Sequence, residues 1–155
     1  MWLVFVALLT LPLGVLVAGR LAVATRPVLG TVAAVLAWLG FVSLFAVTGV
    51  EQLSLAATDA GVPLSTVVAL DAANTAQPVT SVALRLFVAG HILGAVLLGV
   101  ALWRAIPKWA ALALIVSQPL HLLFAVGVPN HLLDTVAWSL TGVGFAAAAL
   151  APSAR

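Results

Sequence analysis

The sequence predicts an all-α fold, a polytopic membrane helix bundle with five transmembrane helices, on three observations. Hydrophobic residues make up 65% of the 155 residues and charged residues 6%, whereas a soluble domain carries about 25% charged residues to solvate its surface. The mean hydropathy is +1.29. Five stretches also approach the roughly 20 apolar residues that cross about 30 Å of hydrocarbon at 1.5 Å per residue.

The first span is expected at about 2–19. Met1 leads almost directly into it with no Lys or Arg ahead, and a secretory signal needs a positive n-region, so the stretch reads as retained. Pro12 is expected to kink it. The second span is expected at 28–50. The connection 51–80 contains PLSTVVALDAANTAQP, with Leu64, Val67, Val68 and Ala72 at helical spacing and Pro78 as a stop. It reads as an outer amphipathic helix, with Thr80 or Ser81 capping the next span. Spans three to five are expected at 81–103, 109–127 and 132–150. The last two are separated by VPNH, a turn signal. No repeat or second domain is evident, so residues 1–155 form one helical domain.

The bases set the expected orientation. Arg20 and Arg26 fall between spans one and two, Arg104 and Lys108 between spans three and four, and Arg155 ends the chain. These alternate with five crossings, which by the positive-inside rule places the N-terminus outside and the C-terminus in the cytoplasm of a multi-pass cell-membrane protein. Glu51, Asp59, Asp71 and Asp134 fall on the other side, where Arg85 is the one base that breaks the pattern. Trp103 and Trp109 flank the basic turn as interfacial anchors. The pI of about 10.6 arises from a net charge of only +2 among very few ionisable groups, so it gives no argument for nucleic acid. The lipid bilayer is the expected partner, together with a homo-oligomer or a larger membrane complex.

Chemistry is sparse. With no cysteine, disulfides, thiolate catalysis and Cys-ligated zinc or iron–sulfur sites are excluded. No phosphate-binding glycine loop, HExxH, GxSxG or paired-aspartate motif is present. Such a sequence leans away from an enzyme. Attention falls instead on His91 and His121. His91 precedes Arg104 by thirteen residues and His121 follows Lys108 by thirteen, so each lies roughly 20 Å above the basic turn, at matching depth on successive helices. Helical spacing places Gly94, Ala95 and Leu98 on the face of His91, and Leu114, Ser117 and Gln118 on that of His121. Pro119 adds a kink beside His121. Glu51, Arg85, Gln118, His131 and Asp134 are expected to ring the outer mouth as a polar cluster. Ionisable groups within a membrane are functional candidates because they are costly to keep there. The structural alternative is that Arg85 pairs with Glu51 or Asp134, that His131 and Asp134 cap the fifth helix, and that the two histidines make a hydrogen-bonded interhelical contact.

The segment AGH…LLGVALWRAIPKWAAL, Ala89 to Leu114, resembles a broad group of uncharacterised bacterial, actinobacterial-like, small multi-spanning integral membrane proteins. That resemblance covers the third and fourth spans. It implies a small helical membrane protein and carries over no site residue.

Three functional expectations follow. The leading one is a non-enzymatic protein of unassigned activity that binds a small molecule or lipid in an outward-facing polar pocket, or acts as a complex subunit. The second is a redox protein with one b-type haem, His91 and His121 its axial ligands and Arg85 near a propionate. The third, a small oligomeric transporter, is less favoured because the chain shows no inverted repeat or pair of broken helices. No metal is expected, because two histidines alone do not complete a zinc site.

Overall fold

The computed structural model describes residues 2–151, with side chains from Val6 onward. Met1 and Arg155, on which the start of the chain and the last cytoplasmic base were placed, lie outside the described residues. Six helices follow in order: α1 Trp2–Thr25, α2 Pro27–Asp59, α3 Leu64–Thr75, α4 Pro78–Leu102, α5 Lys108–Leu122 and α6 His131–Leu150, with a π turn at Leu123–Gly127 after α5. Five of them, counting α5 with its π turn, are long and apolar enough to cross a membrane.

The helix boundaries differ from expectation where proline or glycine chemistry takes over. Gly19 and Arg20 do not end α1. The helix runs to Thr25 and breaks at Arg26, whose φ of −143° and ψ of 82° lie outside the helical region that a following proline disfavours. Pro27 then opens α2, where its missing N–H costs nothing. α2 continues nine residues beyond the expected limit, through Glu51 to Asp59. Its 33 residues span about 50 Å, so the far end projects beyond an apolar slab of membrane thickness. No breaker stands in EQLSLAATD. The stop comes at Gly61, whose φ of +82° is the left-handed conformation of a Schellman cap. Val62 N–H bonds to Ala57 O and Gly61 N–H to Thr58 O, both at 3.0 Å.

α4 is not capped by Thr80 or Ser81. Pro78 at its first position starts the helix earlier, Gln77 flanks it in extended conformation, and the Thr80 hydroxyl donates to Asn74 Oδ1 at 3.3 Å. α6 is capped by Asn130, not by His131 or Asp134. The Asn130 side chain accepts from the N–H groups of Leu132 and Leu133, each at 3.1 Å.

The long helices form a ring in which α1 meets α2, α2 meets α4, α4 meets α5, α5 meets α6, and α6 returns to α1. α4 also touches α1, α3 and α6, so it is the most central element. Short connections make consecutive long helices antiparallel. One end of the bundle therefore carries Arg20, Arg26, Arg104 and Lys108. The other carries α3 and the acidic residues. Leu64, Val68 and Leu70 of α3 are exposed, while Val67 is buried.

The most extensive helix contact lies between α2 and α4. A methyl group on Gly94 would overlap Ala37, and one on Gly40 would overlap the backbone of Gly90 and His91. The small residues of Gly90–Gly94 thus serve close approach within one chain. Because Gly40 presses on the backbone of His91, this seam also fixes where that histidine sits. At the basic end, Leu98, Leu102, Ala110 and Leu114 are fully buried. The opposite faces are apolar but exposed, among them Val28, Val79, Leu132 and Leu150, each at 75% or more. Such an outward apolar coat is what a bilayer solvates.

Candidate functional site

His91 is 1% exposed and sits midway along the central helix. Its Nδ1–H donates to the carbonyl oxygen of Phe87 one turn earlier. The Phe87 ring stacks on it at 4.2 Å between ring centres and 12° between planes. Phe41 of α2 meets its edge at 6.0 Å, and Trp138 of α6 lies parallel to it at 6.0 Å and 7°. The imidazole is therefore held by four helices' worth of packing only if α5 closes the last side, which His121 does. The two histidine rings lie 5.5 Å apart with planes crossing at 62°.

His121 is oriented from α6. Its Nδ1–H donates to Asp134 Oδ1 at 2.6 Å, with side chains 15% and 23% exposed respectively. A charge-assisted bond of this length in a largely water-free setting is among the stronger polar contacts a protein makes. Trp138, one turn after Asp134, lies 4.7 Å from His121. Just past His121 the helix changes character. Pro119 supplies no backbone donor, and the chain winds through the π turn Leu123–Gly127, with Val128 N–H bonding to Leu123 O at 2.7 Å. Single π turns of this kind gather at functional sites.

Gln118, one turn below His121 on α5, is fully buried. Its Nε2 donates to Thr141 Oγ1 at 2.6 Å. Gln118 Oε1 and His91 Nε2 are buried and find no hydrogen-bond partner among the described residues. Both are acceptors: Gln118 Oε1 is the amide carbonyl oxygen, and His91 has spent its N–H on Phe87.

Above these residues opens a cavity of about 720 Å³, lined by segments of α1, α2, α4, α5 and α6. Its apolar walls include Ala7, Leu8 and Leu11 of α1 and Leu44 and Val47 of α2. Thr48, Glu51, His121, His131, Asp134 and Thr135 supply the polar lining, and Trp138 closes it toward the histidine pair. Glu51 also borders a smaller cavity of about 240 Å³ shared with Asp71 and Thr80 under α3.

The structure thus brings Glu51, His121, His131 and Asp134 together around one cavity. Gln118 lies deeper, bonded to Thr141 and not part of the mouth. Arg85 is exposed and is not among the cavity-lining residues. It pairs with neither Glu51 nor Asp134; Asp134 instead takes the His121 Nδ1–H, the one such contact among the described residues. The histidines do not bond to each other or to Gln118. Each takes a separate partner, Phe87 or Asp134. Thr141, Trp138, Phe87 and Thr48 are additions to the expected set. The first two had a signal, because Asp134, Trp138, Thr141, Phe145 and Ala148 follow one helical stripe.

Haem does not fit between the histidines. A macrocycle with axial imidazoles needs a flat slot between facing rings, with ring centres more than ~6 Å apart for iron–nitrogen bonds near 2 Å. Here the ring centres are only 5.5 Å apart. Trp138 is packed against both, and α4 and α5 pack directly, with Gly99 against Ala111 and Ile115. Comparison with family models, curated proteins and solved structures gives no match to this chain. The resemblance over Ala89–Leu114 finds no support there.

Proposed function

We propose that the protein is a multi-pass cell-membrane binding protein, N-terminus outside and C-terminus cytoplasmic, whose outward-facing cavity takes one small amphipathic molecule or lipid headgroup. The observation that carries this reading is the composition of the 720 Å³ cavity, with aliphatic walls from α1 and α2 and Glu51, His121, His131 and Asp134 on its polar side. Binding pockets are of this size, mostly apolar, with a few placed polar groups. The apolar part of the ligand would lie along Leu8, Leu11 and Leu44. Its polar head would meet the His121–Asp134 pair, whose carboxylate fixes the ring. The reading is non-enzymatic.

Two measurements test it. Native mass spectrometry of the detergent-purified protein should find one co-purifying small molecule per chain, and Val47→Trp, which fills the cavity, should abolish it. In a variant whose other four tryptophans are replaced by Phe, Trp138 fluorescence should shift when the ligand is stripped and restored. A chain that carries nothing and whose Trp138 emission ignores added outer-leaflet lipids would overturn the reading. The orientation is checked separately. The sequence has no cysteine, so Asp59→Cys gives a clean single label, expected to react with an impermeant thiol reagent from outside intact cells. Labelling only after lysis reverses the topology.

A further inference from the structure

His91 and His121 share an arrangement that binding an amphipathic molecule does not call for. Each ring donates Nδ1–H to a fixed acceptor, the Phe87 carbonyl for one and the Asp134 carboxylate for the other. In the neutral imidazole this leaves Nε2 as a lone-pair donor on both rings. Metal-ligating histidines are held in this way: the second nitrogen bonds a carbonyl or carboxylate, which fixes the tautomer and raises ligand basicity.

Distance and donor chemistry point the same way. Two imidazoles bound to one ion through bonds of about 2 Å at a bent angle bring their ring centres to about 5–6 Å, and the observed separation is 5.5 Å. That separation suits a bent nitrogen–metal–nitrogen geometry and is too short for a linear one. His91 Nε2 is buried without a partner, and so is Gln118 Oε1, one turn from His121 on α5. Unpaired buried acceptors are destabilising, and a cation satisfies both kinds. No three His, Asp or Glu side chains converge on a metal position among the described residues. The buried, unpartnered amide oxygen of Gln118 is then the candidate third donor.

We propose that His91 and His121 bind one divalent first-row transition-metal ion through Nε2, with Gln118 Oε1 as third ligand and an open position beneath the cavity. Imidazole-rich sites favour zinc, nickel, copper or iron over magnesium or calcium. Asp134 and the Phe87 carbonyl orient the ligands without touching the ion. The site shares His121 with the cavity but stands without the amphipathic ligand, so either reading can fail alone.

The test uses the full chain, without a histidine tag, in detergent, stripped with chelator and titrated with Co²⁺, whose visible ligand-field bands report coordination. One Co²⁺ per chain is expected, with bands that Zn²⁺ abolishes by displacement. His91→Gln and His121→Gln should each remove the bands. Asp134→Asn should keep them but weaken affinity about 10–100-fold. Circular dichroism and gel filtration of each variant separate lost ligation from lost fold. Should His91→Gln fail to fold, the more exposed His121→Gln and the wild-type stoichiometry still decide. Wild-type protein that binds no Co²⁺, binding that survives His121→Gln, or binding that disappears with His131→Ala while His91 and His121 are intact would each overturn the proposal.

Discussion

At the basic end, α4, α5 and α6 meet through Leu98, Leu102, Ala110, Leu114 and Ala148, none more than 4% exposed. At the end that carries α3, the same three helices meet through His91, Gln118, His121, Asp134 and Trp138, with a cavity above them. The first region is held by shape, with aliphatic side chains filling the space between helices. The second is held by specific bonds, His121 to Asp134 and Gln118 to Thr141, and it retains two buried acceptors with no protein donor. Leucines at those positions would avoid that cost. Polar groups kept inside an apolar bundle at an energetic loss make this end the candidate functional site.

The largest expected effect comes from the seam that joins the two regions. A methyl on Gly40 would meet the backbone of Gly90 and His91, whereas one on Gly49, further along α2, meets nothing within 4 Å. Backbone cannot rotate aside as a side chain can, so Gly40→Ala forces α2 and α4 apart along their whole contact. A loss of about 3 kcal/mol is expected from overpacking, together with loss of the Co²⁺ site because His91 moves. Gly49→Ala should gain up to about 1 kcal/mol from helix propensity. Thermal unfolding of both variants in one detergent makes the comparison, and equal midpoints would break the proposed role of the seam.

A smaller effect separates the polar region from its apolar counterpart. Thr141→Val leaves the Gln118 amide N–H buried without an acceptor, which should cost about 1–3 kcal/mol. Adding Gln118→Leu removes the stranded donor, so the double variant should recover most of that loss. It should nevertheless weaken Co²⁺ binding, because the third ligand is gone. A four-member thermodynamic cycle reads the coupling. Additive losses would mean that the 2.6 Å bond does not organise this layer.

The same contrast explains what the sequence makes legible. The five apolar helices, the α3 segment and the clustering of bases at one end follow from hydropathy and charge spacing, which depend on single stretches read alone. The matched depth of His91 and His121 is equally local, since it needs only two counts from the basic turn, and the rings do meet. Their partners are another matter. Asp134 reaches His121 from a different helix, and its choice over Arg85 depends on how α6 rotates against α5. Helical spacing fixes which residues share a face but not which faces meet. The haem expectation fails for that reason, because the space it needs is filled by Trp138, which α6 delivers when it closes the ring of helices. The misplaced ends of α1 and α2 have a simpler cause. Charge and polarity suggest boundaries where only Pro27 and Gly61 change the backbone.

The smallest expected effect concerns how α6 begins. Asn130 accepts from Leu132 and Leu133 N–H, two donors with no partner in the helix, and its own carbonyl accepts from Asp134 N–H at 2.9 Å. The cap therefore pins the turn that aims Asp134 at His121. Asn130→Ala should cost about 1 kcal/mol, in the range of other lost caps, and Asn130→Asp should cost less because its carboxylate also accepts. The two regions must respond differently. Fraying at the start of α6 loosens the His121–Asp134 bond while leaving the Leu114 and Phe145 packing intact, so amide hydrogen exchange should quicken around Leu132–Thr135 and stay slow around Thr141–Ala148. Uniform acceleration along α6 would show that the helix moves as one piece, and that its polar and apolar halves are not independent.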